Sequence, residues 1–378
     1  MIKVCHIVNL ITGKADGVYA HLKMIFQNSD KTMFQHYLIF QGDEKIEREL
    51  TEMGVKVFIS GSLKKKVSVK ALVDIYSFLK ENNIDIIHTH LNKPYALSGL
   101  VNILLRKKFI LNYHGIFLTH NPYYNLSERI IYSLIHFIIC FFKKPNAVLV
   151  PSRKSKQLLI DETKLFPEPV VYYNGYSPMA AVFIEDNETS KRIEELKKNK
   201  KIIAVVGRLE IQKRVDNALL LFKMIKEKRD NVFLMVFGDG SLKNELNSFC
   251  NELEINSDVI FFDYVQTVSQ YFNFFDVLLF TSDWEGMPLT MWEAMANQLP
   301  VVAPDVGGFK EILEEYNCGI VYEPGNLKQA EEKILEIIDD NNFRLKLGAK
   351  GKLAIEKKFN EKQFIDQIEK IYLDLLSS

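Results

Sequence analysis

The feature that most constrains this chain is a rhythm that occurs twice: short apolar runs alternate with longer amphipathic stretches. In the first series the apolar runs fall at residues 3–10, 36–40, 55–59, 85–88, 109–113 and 147–150, with helix-like segments such as 69–81 and 152–161 between them. A polar, charged patch at 185–200 follows. The second series runs through 202–206, 232–237, 259–262, 277–280, 300–302 and 319–321, with helices such as 215–228 and 241–253. Strands buried on both faces of a parallel sheet read as near-continuous apolar runs, and each parallel pair needs a crossover helix. The rhythm therefore predicts an α/β fold with two doubly wound, Rossmann-like domains facing across a cleft, strand C-terminal ends toward it. The expected boundaries are 1–180 and 181–359, with a C-terminal helix over 360–378; residues 326–376 read as helical throughout.

Composition narrows the class. With 378 residues, 47% hydrophobic and 25% charged, the chain can bury two cores as a soluble globular protein. Four scattered cysteines form no CxxC pair, which argues against a metal site or disulfides and for a reducing compartment. The opening "MIKVCHIVNL" reads as a first strand and not as a signal peptide. Net charge is zero, but residues 1–180 hold 23 Lys and Arg against 14 Asp and Glu, and the remainder holds 25 against 34. A first half at +9 suits an anionic surface or a phosphorylated substrate; lysine excess as a compositional habit is the bland alternative.

The segment "ERIIYSLIHFIICFFKKP", residues 128–145, stands apart. Its apolar core, 130–142, is shorter than the roughly 20 residues that span a bilayer. It is either a buried helix or a helix whose aromatic face touches a membrane, with Arg129, Lys143 and Lys144 near anionic headgroups.

The second half carries the chemistry. In "VVGRLEIQKRVDNALLLF" a strand ends at Gly207, and Arg208 and Lys213 flank a short loop before a helix, an arrangement suited to a diphosphate. "MVFGDGSLKNEL" repeats the strand–glycine–helix design at Gly238 and Gly240 but lacks the full dinucleotide fingerprint, so hydride transfer is not favoured. In "WEGMPLTMWEAMA" two carboxylates, Glu285 and Glu293, bracket a helix start. Gly286 and Met287 offer backbone N–H groups, Pro288 suits the first helical position, and Glu293 lies about two turns in. Two such glutamates suit a hydroxyl-rich ligand; a capping Glu285 and a solvated Glu293 is the structural alternative. "DVGGFKEIL", residues 305–313, adds another glycine turn opening a helix.

Together, Gly207-Arg208 with Lys213, Gly238-Asp239-Gly240, the Glu285/Glu293 pair and "PVVAPDVGG" resemble, in order and spacing, the nucleotide-sugar-binding domain of retaining glycosyltransferases of the GT-B fold, glycosyltransferase family 4. The resemblance spans nearly the whole chain, and the closing helix, residues 360–376, resembles the segment that crosses back to the first domain. It implies that Arg208 and Lys213 hold the donor diphosphate, that Glu285 contacts the donor sugar with the backbone of Gly286, Met287, Pro288 and Leu289 nearby, and that Glu293 accepts from the ribose hydroxyls. It implies that Gly13 and Gly17, in "LITGKADGVYAHL", approach the donor phosphates where the family usually has adjacent glycines. It implies that His114, in "NYHGIF", contacts the donor sugar, and that His114, Glu285, Arg208 and Lys213 form the catalytic set. His88 and His90 look like a metal pair; the family typically needs no divalent metal, and they read as cleft or core residues. Two departures stand out: Arg214 where a glycine is common, and the bulk of Trp284 and Trp292 beside the glutamates.

The implied activity is a metal-independent, hexosyltransferase-type transfer with retention, from a nucleoside diphosphate sugar, a UDP-sugar above others, to a glycan, lipid-linked or small-molecule acceptor in cell-surface polysaccharide biosynthesis. No cofactor and no nucleic-acid partner are expected, and the expected location is the cytoplasm at the inner face of the membrane. A GT-B nucleotide-sugar epimerase is the alternative within the fold, and a binding protein with a decayed site is the alternative outside enzymes.

Overall fold

The computed structural model describes residues 1–11, 17–64, 68–115, 125–176, 188–265 and 267–377. The chain divides into two units, Met1–Asn174 with Glu361–Ser378, and Gly175–Asn360.

In the first unit the chain runs β1 Ile2–Ile7, α1 Gly17–Asn28, β2 Phe34–Phe40, α2 Glu44–Glu52, β3 Lys56–Ile59, α3 Val69–Glu81, β4 Ile86–His90, α4 Asn92–Leu105, β5 Lys108–Asn112, α5 Leu126–Lys143, β6 Ala147–Val150, α6 Arg153–Glu162 and β7 Val170–Val171. The strands form one parallel sheet in the order β3-β2-β1-β4-β5-β6-β7. Alternation along the strands sorts the core onto two faces. Cys5, Ile7, Ile87, Phe109 and Leu111 pack on one side with α3, α4 and α5, and Val4, Leu38, Ile86 and Ile110 pack on the other with α1. Helix starts follow local chemistry: Ser68, Ser152 and Asp43 each accept a backbone N–H as N-caps. Asn125 and Glu128 make a reciprocal capping box for α5.

The second unit follows as α7 Glu188–Lys197, β8 Lys201–Val206, α8 Val215–Lys228, β9 Val232–Phe237, α9 Lys243–Glu252, β10 Val259–Phe262, β11 Val277–Leu279, α10 Leu289–Ala296, β12 Val301–Pro304, α11 Phe309–Leu313, β13 Gly319–Tyr322, α12 Leu327–Asp339 and α13 Asn341–Lys358. Its six strands form a parallel sheet ordered β10-β9-β8-β11-β12-β13. α14, Glu361–Ser377, belongs to the first unit, where Phe364, Ile368 and Tyr372 join the core beside α1.

Most strands match the expected runs within one or two residues. Residues 326–376 are helical, as expected, and divide into three helices: Asp340 caps the start of α13, and the chain turns again at Phe359. An amphipathic period cannot by itself reveal such a cap. The two-residue β7 escaped detection because it is too short to carry a period.

α5 presents an apolar face outward. Ile130 is 60% exposed, Phe137 55% and Phe141 73%, whereas Tyr132, His136 and Ile139 face inward. A buried helix, one of its two expected readings, is thereby overturned for that face. Among the described residues no helix is long and apolar enough to cross a membrane.

Candidate functional site

In the second unit the strand order reverses between β8 and β11, and the loops leaving their carboxyl ends lie side by side. Such a switch point is where open α/β sheets bind ligands. The loop after β8 carries Arg208 and Lys213, and the loop after β11 carries Glu285. Backbone and side chains stitch them together. Asp283 N–H donates to Gln212 O (3.0 Å), the Gln212 amide donates to Trp284 O (2.8 Å), and the Thr281 hydroxyl lies 3.0 and 2.8 Å from the carbonyls of Lys213 and Arg214.

The result is a direct contact 72 residues apart in sequence: Lys213 Nζ donates to Glu285 Oε1 at 2.5 Å. The Ser282 hydroxyl donates to the same oxygen at 2.7 Å. The Lys213 side chain is 16% exposed and that of Glu285 6%, so each charge depends on the other. Arg208 is exposed, and its guanidinium donates to Gln212 Oε1 at 3.3 Å.

Two glycines shape the floor. At Gly238 an added Cβ would lie 1.9 Å from Gly207 O, so only glycine lets the β9 loop lie on the β8 loop. Gly307 has φ +54°, and a Cβ there would meet Glu285 O at 2.4 Å; Gly308 N–H donates to Gly286 O at 2.9 Å. The "DVGG" turn is thus seated on the backbone of Glu285 and Gly286.

α10 starts at Leu289, so Pro288 stands before the first helical position, with ψ 134°. Glu293 is the fifth residue of α10, little more than one turn in and not two. Its carboxyl is pushed up to about 7 by desolvation, and the nearby Tyr176 hydroxyl is raised by its own burial, with the Glu293 carboxylate adding to the effect. Glu285 and Glu293 therefore sit in different electrostatic settings: Glu285 is paired with Lys213, and Glu293 has no cation beside it among the described residues. Gly286 and Met287 are buried.

Arg214 and Trp292 each have a structural account. Arg214 has φ +47°, a region that favours glycine, and its guanidinium binds Asp216 (2.9 Å) and Asp283 (3.3 Å), which raise its pKa. Trp292 is fully buried and packs on Phe359 with ring centroids 4.6 Å apart, so its bulk fills core.

In the first unit Gly17 opens α1, and an added Cβ would meet nothing within 4 Å, so close packing does not demand glycine there. Gly13 lies outside the described residues. His114 follows β5 and is partly exposed, with His90 Nδ1 2.9 Å from its Nε2. His88 and His90 are fully buried in the sheet. They belong to a cluster with His6, His21 and His36 that sequence reasoning missed. The available signal was that buried strands 30 or more residues apart each carry a histidine at an in-facing register. His6, His88 and His90, and separately His21, His90 and His114, bring one nitrogen each within 4.8 Å of one another.

Residues 186–354 match the family described as Glycosyl transferases group 1, and residues 29–178 match Glycosyltransferase Family 4. With its two parallel sheets of seven and six strands, this chain belongs to the family 4 glycosyltransferases of the GT-B fold and is a transferase. It is similar to the UDP-Gal:alpha-D-GlcNAc-diphosphoundecaprenol alpha-1,3-galactosyltransferase of Escherichia coli, 24% identical over 85% of this chain and 84% of that protein. It is also similar to the N-acetyl-alpha-D-glucosaminyl L-malate synthase of Bacillus anthracis, 24% identical over 79% of this chain and 76% of that protein. Among solved structures, Anabaena HepE in complex with UDP-glucose shares the fold at TM-score 0.82 and 17% identity, over 99% of this chain and 100% of that one.

Proposed function

We propose that this chain moves a sugar from a nucleoside diphosphate sugar, a UDP-sugar, to a glycan or lipid-linked acceptor in polysaccharide assembly, with retention and without a metal ion. The observation that carries the reading is the joined pair of loops at the β8/β11 switch point, where exposed Arg208, the Lys213–Glu285 pair and the Gly307 turn converge. A diphosphate is bound well by an arginine fork and a lysine, and a carboxylate binds sugar hydroxyls. Arg208 and Lys213 take the diphosphate, Glu285 and the 286–289 backbone take the sugar, and Glu293 takes the ribose diol. Gly13, Gly17 and His114 are assigned to the donor as well, and the first unit to the acceptor. The UDP-glucose complex of HepE and the UDP-Gal specificity in the name of the Escherichia coli relative support a uridine donor.

In the reaction the bond from the anomeric carbon to the diphosphate oxygen breaks, and its electron pair leaves with the diphosphate. The acceptor hydroxyl attacks the face the nucleotide leaves, and its proton passes to the departing phosphate oxygen. Arg208 and Lys213 stabilise the charge that grows on the leaving group, and positioning supplies the rest.

The outward face of α5 supports a membrane-bound acceptor: Ile130, Phe137 and Phe141 are exposed beside Arg129, Lys143 and Lys144, the chemistry of an interfacial helix on anionic lipid at the cytoplasmic leaflet. The name of the Escherichia coli relative includes a diphosphoundecaprenol acceptor, a lipid.

A thermal-shift panel of nucleoside diphosphate sugars tests the reading. One uridine donor should raise the melting temperature, and Arg208→Ala should abolish the rise without lowering the melting temperature of the free protein, because Arg208 is exposed. A panel with no stabilising donor, or an unaltered response in Arg208→Ala, overturns it. Product analysis separates transfer, which frees the nucleoside diphosphate, from epimerisation, which yields an isomer.

A further inference from the structure

Four of the eight histidines in this chain are joined end to end across one face of the first unit's sheet. His36 Nδ1 lies 3.2 Å from His6 Nε2, His6 Nδ1 lies 3.2 Å from His90 Nε2, and His90 Nδ1 lies 2.9 Å from His114 Nε2. The row crosses adjacent strands β2, β1 and β4 and ends just past β5. Every link joins one Nδ1 to one Nε2, with ring centroids 5.2–5.4 Å apart. Successive rings from His6 to His114 are tilted by only 22–23°, so their nitrogens meet edge to edge as in-plane hydrogen bonds require.

Each ring is neutral. Burial holds His36 down to about 4 and lowers His6, His90 and His114 well below the ordinary 6.5, with neighbouring histidines adding to the effect. Four neutral imidazoles carry four N–H protons, and three links use three of them. The fourth sits at one end: on His36 Nε2, or on His114 Nδ1. His36 Nε2 is buried and, among the described residues, has no hydrogen-bond partner. A proton there would be an orphaned buried donor, which is rarer than an orphaned acceptor. The same rule fits His88, whose Nδ1 meets the Tyr372 hydroxyl at 2.8 Å while its Nε2 is buried without a partner among the described residues.

We infer that His90, His6 and His36 act as positioning residues that fix one tautomer of His114, so that it presents an uncharged Nδ1–H donor to its ligand. Such a donor selects an acceptor oxygen, a sugar hydroxyl or a phosphate oxygen, and adds no charge to it. The identity of that ligand rests on the glycosyl-transfer reading; the tautomer does not. His21 offers an internal comparison: the Asn112 amide donates to its Nε2 (3.1 Å), and its Nδ1–H donates to Asn174 Oδ1 (2.8 Å), the same tautomer fixed by an amide.

The test is a two-bond proton–nitrogen correlation spectrum of the full chain labelled on histidine nitrogen, without ligand, with signals assigned by single His→Asn variants. His114 should show a protonated Nδ1 and a bare Nε2, unchanged as the pH falls through 6.5, where a free imidazole titrates. In His90→Leu, His114 should become a mixture of tautomers; in His90→Asn, whose amide can donate as Asn112 does, the native tautomer should return. Should His90→Leu fail to fold, the spectrum of the unaltered chain decides alone. A protonated His114 Nε2, titration of His114 near 6.5, or stoichiometric zinc shifting the His6 and His90 signals together each overturns the inference. Because no donor sugar is present, failure here is distinct from failure of the donor panel.

Discussion

Replacing Lys213 with methionine separates what the Lys213–Glu285 pair does for folding from what it does for catalysis. The side chain keeps its length and loses its charge. Glu285, with its side chain 6% exposed, is left with the Ser282 hydroxyl as its remaining side-chain partner. Breaking a fully buried pair costs about 3–5 kcal/mol; the retained Ser282 bond and the partly wet Lys213 reduce that here to about 2–3 kcal/mol. For a unit of this size the melting temperature should fall by about 5–10 °C. Loss of one charge-assisted contact to the donor diphosphate, about 1.5–3 kcal/mol, should lower kcat/KM about ten- to a hundredfold. Adding Glu285→Gln removes the stranded charge, so the double variant should regain most of the lost stability and none of the lost turnover. The assays are thermal melts and donor kinetics on the two single variants and the double variant. If the double variant recovers turnover along with stability, the diphosphate role of Lys213 fails; if Lys213→Met melts with the unaltered chain, the ion-pair argument fails.

Two further outcomes follow from the same structure. The Glu293 carboxyl is raised to about 7 from 4.5, so between those values the folded chain holds a proton that the unfolded chain has lost; stability should fall as pH rises through that window, by up to about 1.4 kcal/mol per unit, and level off above it. Glu293→Gln should remove this slope in denaturant titrations, and an unchanged slope would refute the assignment. On α5, Phe137→Asp with Phe141→Asp should abolish co-sedimentation with vesicles containing anionic lipid while shifting stability by less than about 0.5 kcal/mol, since both rings are exposed; equal co-sedimentation would refute the membrane face.

The alternation of apolar runs was enough to read two parallel α/β sheets, because strand burial on both faces and the crossover helix are local consequences of pattern. Glycines at 207, 238, 240 and 307 marked where loops leave the sheet, and the charged residues beside them marked the candidate site. Other features depended on partners distant in sequence. The period that runs through residues 326–376 does not reveal that Asp340 caps a new helix. α5 was legible as amphipathic, but which face meets water depends on what covers it. The pairing of Lys213 with Glu285, and the row of His36, His6, His90 and His114, join residues 24 to 84 positions apart. Pattern and turn chemistry act over a few residues, so the sequence by itself determined the elements and pointed to the chemical class of the ligand. Only the tertiary structure decided which charges neutralise one another and which proton each histidine keeps, because those depend on distances and burial that arise when strands far apart in the chain become neighbours.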